Sequence, residues 1–150
     1  MYGYVKVGSA VPKLRVADCV YNKEEILKLV EAAAAKQVRV LSFPELSVTG
    51  YTCADLFFQA PLLHAAEQAI QEIAEATEAL NIFLLIGAPI AVDNQMFNCA
   101  VALYKGKLLG IVPKTHIPNY SEFYEERWFA SADDLLTEEI TYAGQNLSLI

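Results

Sequence analysis

The chain has 150 residues, and 11 Lys and Arg against 18 Asp and Glu leave a net charge of −7. With 55% hydrophobic and only 19% charged residues, intrinsic disorder is excluded and a single domain with a real core is expected. The acidic balance argues against general nucleic-acid binding, and no basic amphipathic stretch offers itself to a membrane surface.

In chain order, Tyr2 to Ala10 alternates apolar and polar residues and reads as a strand. Asn22 with Glu25 three residues on suggests a helix N-cap, and Ile26, Leu29, Val30 and Ala33 recur at helical spacing, so a helix is predicted over Lys23 to Gln37. Val38 to Phe43 is a short β-branched run ended by Pro44 and reads as a buried strand. Pro61 suits a first helical turn, and Ala66, Ile70, Ile73, Thr77 and Leu80 form one stripe of a helix from Pro61 to Leu80. Ile82 to Ile90 reads as a fully buried strand. Met96 to Tyr104 and Lys107 to Val112 read as a hairpin about Lys105-Gly106. Glu122 to Phe129 suggests a short amphipathic helix, and Ile140 to Ile150 a strand pair just beginning. The alternation of strands and helices makes this an α/β chain.

The longest apolar runs fall short of the roughly 18 residues of a membrane span, and the opening segment has no secretory signal pattern. Cys19, Cys53 and Cys99 are odd in number and widely spaced, without a CxxC or His/Cys cluster. Neither a disulfide framework nor a metal site is expected, and the cytoplasm is the simplest compartment.

Three segments could carry chemistry. Glu45, in Phe43-Pro44-Glu45-Leu46, follows a buried strand, where α/β sheets bind ligands, and a partly desolvated carboxylate there suits a base. Lys114, after the strand ending at Val112, can offer a fixed positive charge to a developing oxyanion. Glu122 to Phe129 mixes acids with aromatics and could wall a substrate pocket. Each also has a plainer reading, as a solvated strand end or a core cover.

Taken together, FPELSVTGYTCADLF and PKTHIPNYSEFYEERWF resemble the carbon–nitrogen hydrolase (nitrilase) superfamily, and within it the N-terminal glutaminase domains of glutamine-dependent NAD synthetases. The resemblance implies an α-β-β-α sandwich, of which 1–150 is roughly the first half, and a Glu-Lys-Cys triad. It assigns Glu45 as general base and Lys114 as stabiliser of the tetrahedral intermediate. Tyr120 and Phe123 would line the glutamine pocket, Glu125 would be the second glutamate with Glu122 as competitor, and Tyr51 would support the site. No match exists for the family's nucleophilic cysteine, expected in a pattern like Ile-Cys-Glu-Asp-Leu-Trp, and none of Cys19, Cys53 and Cys99 suits that role. The fragment alone is therefore expected to be inactive. The glutaminase step needs no metal or cofactor. ATP and magnesium belong to a synthetase domain that this chain does not contain. Glutamine is the implied small-molecule partner, and a parent homo-oligomer is expected. A half-sandwich should expose a sheet face and self-associate. A different amide or nitrile hydrolase, and a non-catalytic binding module, are the alternatives.

Overall fold

The computed structural model describes residues 3–150, so the Tyr2 end of the first predicted strand lies outside the described residues. Strand β1 is short, Val7–Ser9. Helix α1 runs Cys19–Ala35 and strand β2 Val40–Ser42. A 3-10 turn at Ala54–Phe58 leads into helix α2, Ala60–Ala76. Strands β3 (Phe83–Val92), β4 (Gln95–Tyr104) and β5 (Lys107–Pro113) follow. Short 3-10 turns at Glu125–Arg127 and Ala132–Asp134 precede a last hairpin, β6 (Glu139–Tyr142) and β7 (Gln145–Ser148).

The five-stranded sheet has the order β1-β2-β3-β4-β5, with β1, β2 and β3 parallel and β3, β4 and β5 antiparallel. Tight turns at Asp93-Asn94 and Lys105-Gly106 join the antiparallel strands, and all four residues have positive φ. That backbone twist suits two-residue hairpins. Residues directly opposite in a ladder share a face, so the register divides the sheet cleanly. Leu84, Ile86, Cys99, Val101, Leu103 and Ile111 lie on one face and are all buried. Ile26 and Val30 of α1 and Ala66, Ile70 and Ile73 of α2 join them in one core. The other face carries Phe83, Leu85, Gly87, Ala100, Ala102 and Val112. Helices cover the first face only, so Phe83, Leu85, Ala100 and Ala102 stay partly exposed and Val112 exposed. Strand β3 is thus apolar on both faces, with its second face partly exposed at Phe83 and Leu85 and buried at Gly87 and Pro89.

Several boundaries differ from the sequence reading. Helix α1 starts at Cys19, and its N-cap is Asp18, whose carboxylate accepts from the Tyr21 amide at 3.0 Å. Asn22, expected as the cap, lies inside the helix and is fully buried. Its Nδ2 donates to the carbonyls of Arg15 at 2.8 Å and Val48 at 2.9 Å, and its Oδ1 accepts from the Arg15 amide at 2.8 Å. Helix α2 ends at Ala76 rather than Leu80, because the Thr77 hydroxyl donates back to the Ile73 carbonyl at 2.8 Å and caps the turn. Glu125–Arg127 is a single 3-10 turn, not an amphipathic helix. The final segment is a closed hairpin rather than one beginning: the Ala143 amide donates to Glu67 on α2 at 2.7 Å, and Leu149 bridges to Ile111 of β5.

Candidate active site

Glu45, Lys114 and Glu125 are brought together from three separate segments. β2 ends at Ser42, and the chain turns through Pro44 and Glu45 at the carboxyl end of the parallel strands. Lys114 follows β5, which runs in the same direction as β3, so it emerges at the same end. Glu125 arrives on the 3-10 turn beyond it.

Lys114 Nζ donates to Glu45 Oε2 at 2.9 Å and to Glu125 Oε2 at 3.1 Å. One ammonium therefore stands between two carboxylates. The surroundings of the two acids differ. The Glu125 side chain is 4% exposed and that of Glu45 50%, so Glu45 is more open than its strand-end position suggested. Burial acts to lower the Lys114 pKa, but hydrogen bonds and charge from Glu45 and Glu125 outweigh it and leave the pKa raised. Lys114 is therefore a fixed cation at neutral pH, as an oxyanion partner must be.

Tyr51 donates its hydroxyl to Glu125 Oε1. Burial, and then the hydrogen bond to Glu125, push its pKa up, so the phenol stays a donor. Glu125 thus has a partner for each oxygen, as a buried carboxylate requires. Glu122 is exposed and has no such place. Of Glu125 and Glu122, Glu125 is the one that contacts Lys114 and Tyr51 among the described residues.

Tyr120 and Phe123 pack edge to face with ring centroids 6.0 Å apart, and they are 68% and 37% exposed. Phe123 lines a cavity of about 270 Å³ with Tyr51, Glu125 and Trp128. Glu45, Asn98 and Lys114 line another of about 210 Å³ against the open sheet face. Each falls below the roughly 300–1,000 Å³ usual for a small-molecule pocket, so this chain forms walls of a pocket rather than a closed one.

Two residues of the site carried no signal in the motifs. Gly87, in β3, lies directly beneath the Glu45 turn. A Cβ there would come within 2.3 Å of the Leu46 nitrogen and 2.5 Å of the Pro44 carbonyl. Leu46 is fully buried at φ +53°, a left-handed conformation costly for a bulky residue, and the Val48 amide donates to the Gly87 carbonyl at 3.2 Å. The glycine in an apolar strand was the available clue, because such a glycine often marks close backbone approach. The second, Asn98, donates Nδ2 to Glu45 Oε2 at 3.0 Å. An asparagine inside an apolar strand was its only mark.

Cys19, Cys53 and Cys99 are all free and buried. Burial pushes the Cys19 thiol up to about 11 and the Cys99 thiol up to about 12, and raises Cys53 as well. Cys99 adjoins Asn98 in β4, yet strand alternation turns its side chain to the helix-covered face. Cys53 donates to the carbonyls of Thr49 at 3.2 Å and Gly50 at 3.3 Å. Burial and a raised pKa both make a thiol a poorer nucleophile. Among the described residues, no group of His, Cys, Asp and Glu could hold a metal ion, and no helix is long and apolar enough to cross a membrane.

Several known proteins are similar to this chain over most of its length. A glutamine-dependent NAD(+) synthetase from Mycobacterium leprae is 36% identical over 132 residues, which is 88% of this chain and 19% of that protein. One from Aquifex aeolicus is 34% identical over 125 residues, covering 83% of this chain and 22% of that protein. The chain thus spans about a fifth of the length of these relatives. The crystal structure of a glutamine-dependent NAD(+) synthetase from Cytophaga hutchinsonii superposes with a TM-score of 0.89 at 28% identity, covering 97% of this chain and 25% of that one. An amidase from Nesterenkonia sp. shares the fold with a TM-score of 0.67 at 20% identity. The carbon–nitrogen hydrolase family model matches residues 6–147, and the chain belongs to that family.

Proposed function

We propose that this chain is the N-terminal part of a glutaminase domain, and that the whole protein uses glutamine as the ammonia source for making NAD. The observation that carries this is the Lys114 ammonium held between Glu45 at 2.9 Å and Glu125 at 3.1 Å. It fits amide hydrolysis by a thiol. Glu45 removes the thiol proton, and the thiolate attacks the carboxamide carbon of glutamine. Lys114 stabilises the oxyanion that forms. Glu45 returns the proton to the departing nitrogen, ammonia leaves, and water then cleaves the thioester to give glutamate. Tyr120 and Phe123 form an aromatic wall for glutamine, while Glu125, steadied by Tyr51, orients Lys114.

The thiol comes from a part of the domain beyond the stretch shared with this chain. Ammonia then passes to a synthetase domain, where ATP and magnesium activate deamido-NAD for amidation. The glutaminase step itself uses no metal or cofactor, and the protein works in the cytoplasm, as a homo-oligomer.

In the longer protein, Glu45→Gln and Lys114→Ala should each abolish glutamine-dependent NAD formation. Ammonia-dependent synthesis should survive, because the second site is untouched. The 150-residue chain by itself should release no ammonia from glutamine. A Glu45→Gln enzyme that still hydrolyses glutamine would overturn the assignment of the base.

A further inference from the structure

Glu45 is held by one oxygen only. Its Oε2 accepts from Lys114 Nζ at 2.9 Å and from Asn98 Nδ2 at 3.0 Å, while Oε1 accepts no hydrogen bond from the described residues. The two donors are different in kind. Lys114 is a cation shared with Glu125. Asn98 is a neutral amide fixed in the middle of a sheet, between the buried side chains of Phe97 and Cys99, and is itself 3% exposed. Its backbone carbonyl also accepts from the Lys114 amide at 2.8 Å. One strand residue thus ties both the acid and the lysine to β4.

Asparagine is depleted in strands, and a buried amide is costly unless hydrogen-bonded. Packing alone would be served better at this position by an aliphatic residue. Among the described residues, its one side-chain hydrogen bond is to Glu45.

We propose that Asn98 is a positioning residue for the general base, holding Oε2 so that Oε1 faces the incoming thiol and takes its proton. This rests on the glutaminase reading of the site. The need for a second donor follows from the reaction. When an oxyanion forms, Lys114 turns its charge toward the substrate and its hold on Glu45 weakens. Asn98 keeps the carboxylate from rotating at that moment. The other groups around Glu45 are Tyr51, whose hydroxyl senses the Glu45 charge, and Glu125 across Lys114. Neither donates a hydrogen bond to Glu45.

The test uses the longer protein with two near-isosteric variants, Asn98→Leu and Asn98→Asp. Hydrogen bonds to charged groups set the scale, so kcat for glutamine-dependent synthesis should fall about 10- to 100-fold. The KM for glutamine should stay unchanged, because the contact is to the base and not to the substrate. The acid limb of the kcat/KM profile should move to higher pH, since the carboxylate loses a donor that favours its charged form. Asn98→Asp, which adds a like charge, should move it further. Ammonia-dependent synthesis should be unaffected. Asn98→Asp preserves the side-chain shape and decides the matter if Asn98→Leu does not fold. An unmoved pH profile, an undiminished kcat, or a loss confined to KM would overturn the role of Asn98. A wild-type protein that does not hydrolyse glutamine, or a fully active Glu45→Gln variant, would instead remove the glutaminase reading itself.

Discussion

Asp55 shows how a single carboxylate can fix the approach of a distant segment. Its Oδ1 accepts from Arg127 Nε at 2.9 Å and from Trp128 Nε1 at 3.0 Å, and its Oδ2 from Arg127 Nη2 at 2.8 Å. Arg127 and Trp128 lie two and three residues after Glu125, so this clamp secures the turn that presents Glu125 to Lys114. A bidentate arginine pair gives geometric precision that a single lysine contact would not. Hydrogen bonds from Arg127 and Trp128 pull the Asp55 carboxyl down to about 2. A depressed pKa means that the contact stabilises the fold above the unfolded value, near 3.9, and is lost as pH falls through about 2. Trp128 is the one tryptophan of the chain, so its fluorescence reports the clamp directly. Its emission should hold steady on acidification through pH 4 and change only as pH approaches 2. Asp55→Asn should remove that transition. A change centred near pH 4 in the unaltered chain would show that the clamp does not hold in solution.

At the scale of elements, the start of α1 depends on one buried amide. Asn22 makes three hydrogen bonds to backbone groups of Arg15 and Val48, and so ties the helix to the segment before it and to the loop that carries Glu45. Asn22→Ala leaves those backbone groups buried without partners and should destabilise the chain by about 3 kcal/mol, or roughly 10 °C in thermal unfolding. Asp18→Ala removes the cap and an exposed ion pair with Arg15 at 3.7 Å, and should cost about 1 kcal/mol. Equal losses in a thermal scan would contradict this division of roles. The pair also shows what the sequence could convey. Periodicity in Ile26 and Val30 located the helix, since burial on one face is a local pattern. The identity of its cap was less legible, because Asp18 and Asn22 both suit an N-cap and the deciding contact to Val48 lies 26 residues away. The site divides in the same manner. Glu45 and Lys114 stand in motifs at strand ends and could be named from them. Asn98 and Gly87 act on that same turn across 53 and 40 residues, and an asparagine or glycine in an apolar strand does not by itself say which distant segment it meets.

For the molecule as a whole, the decisive feature is a sheet with only one covered face. An antiparallel sheet built to face water alternates apolar and polar side chains. Here the outward positions of β3, β4 and β5 include Phe83, Leu85, Ala100, Ala102 and Val112, so much of both faces is apolar. At the sheet edges, Val7 in β1 and Leu109 in β5 are exposed. The acidic net charge of −7 opposes association, but at physiological salt it is screened within about 8 Å, whereas apolar contact is not. Burying such a face stabilises by about 25 cal/mol per Å². Self-association of the 150-residue chain should therefore win, and sedimentation should show mass rising with concentration above the 16.5 kDa monomer. Val112→Lys places a charge at the exposed end of this face and should shift the equilibrium toward monomer without disturbing the helix-covered core. A monodisperse monomer at high concentration with cooperative unfolding would mean that the open face tolerates water. An unchanged assembly in the Val112→Lys chain would move the contact to another surface.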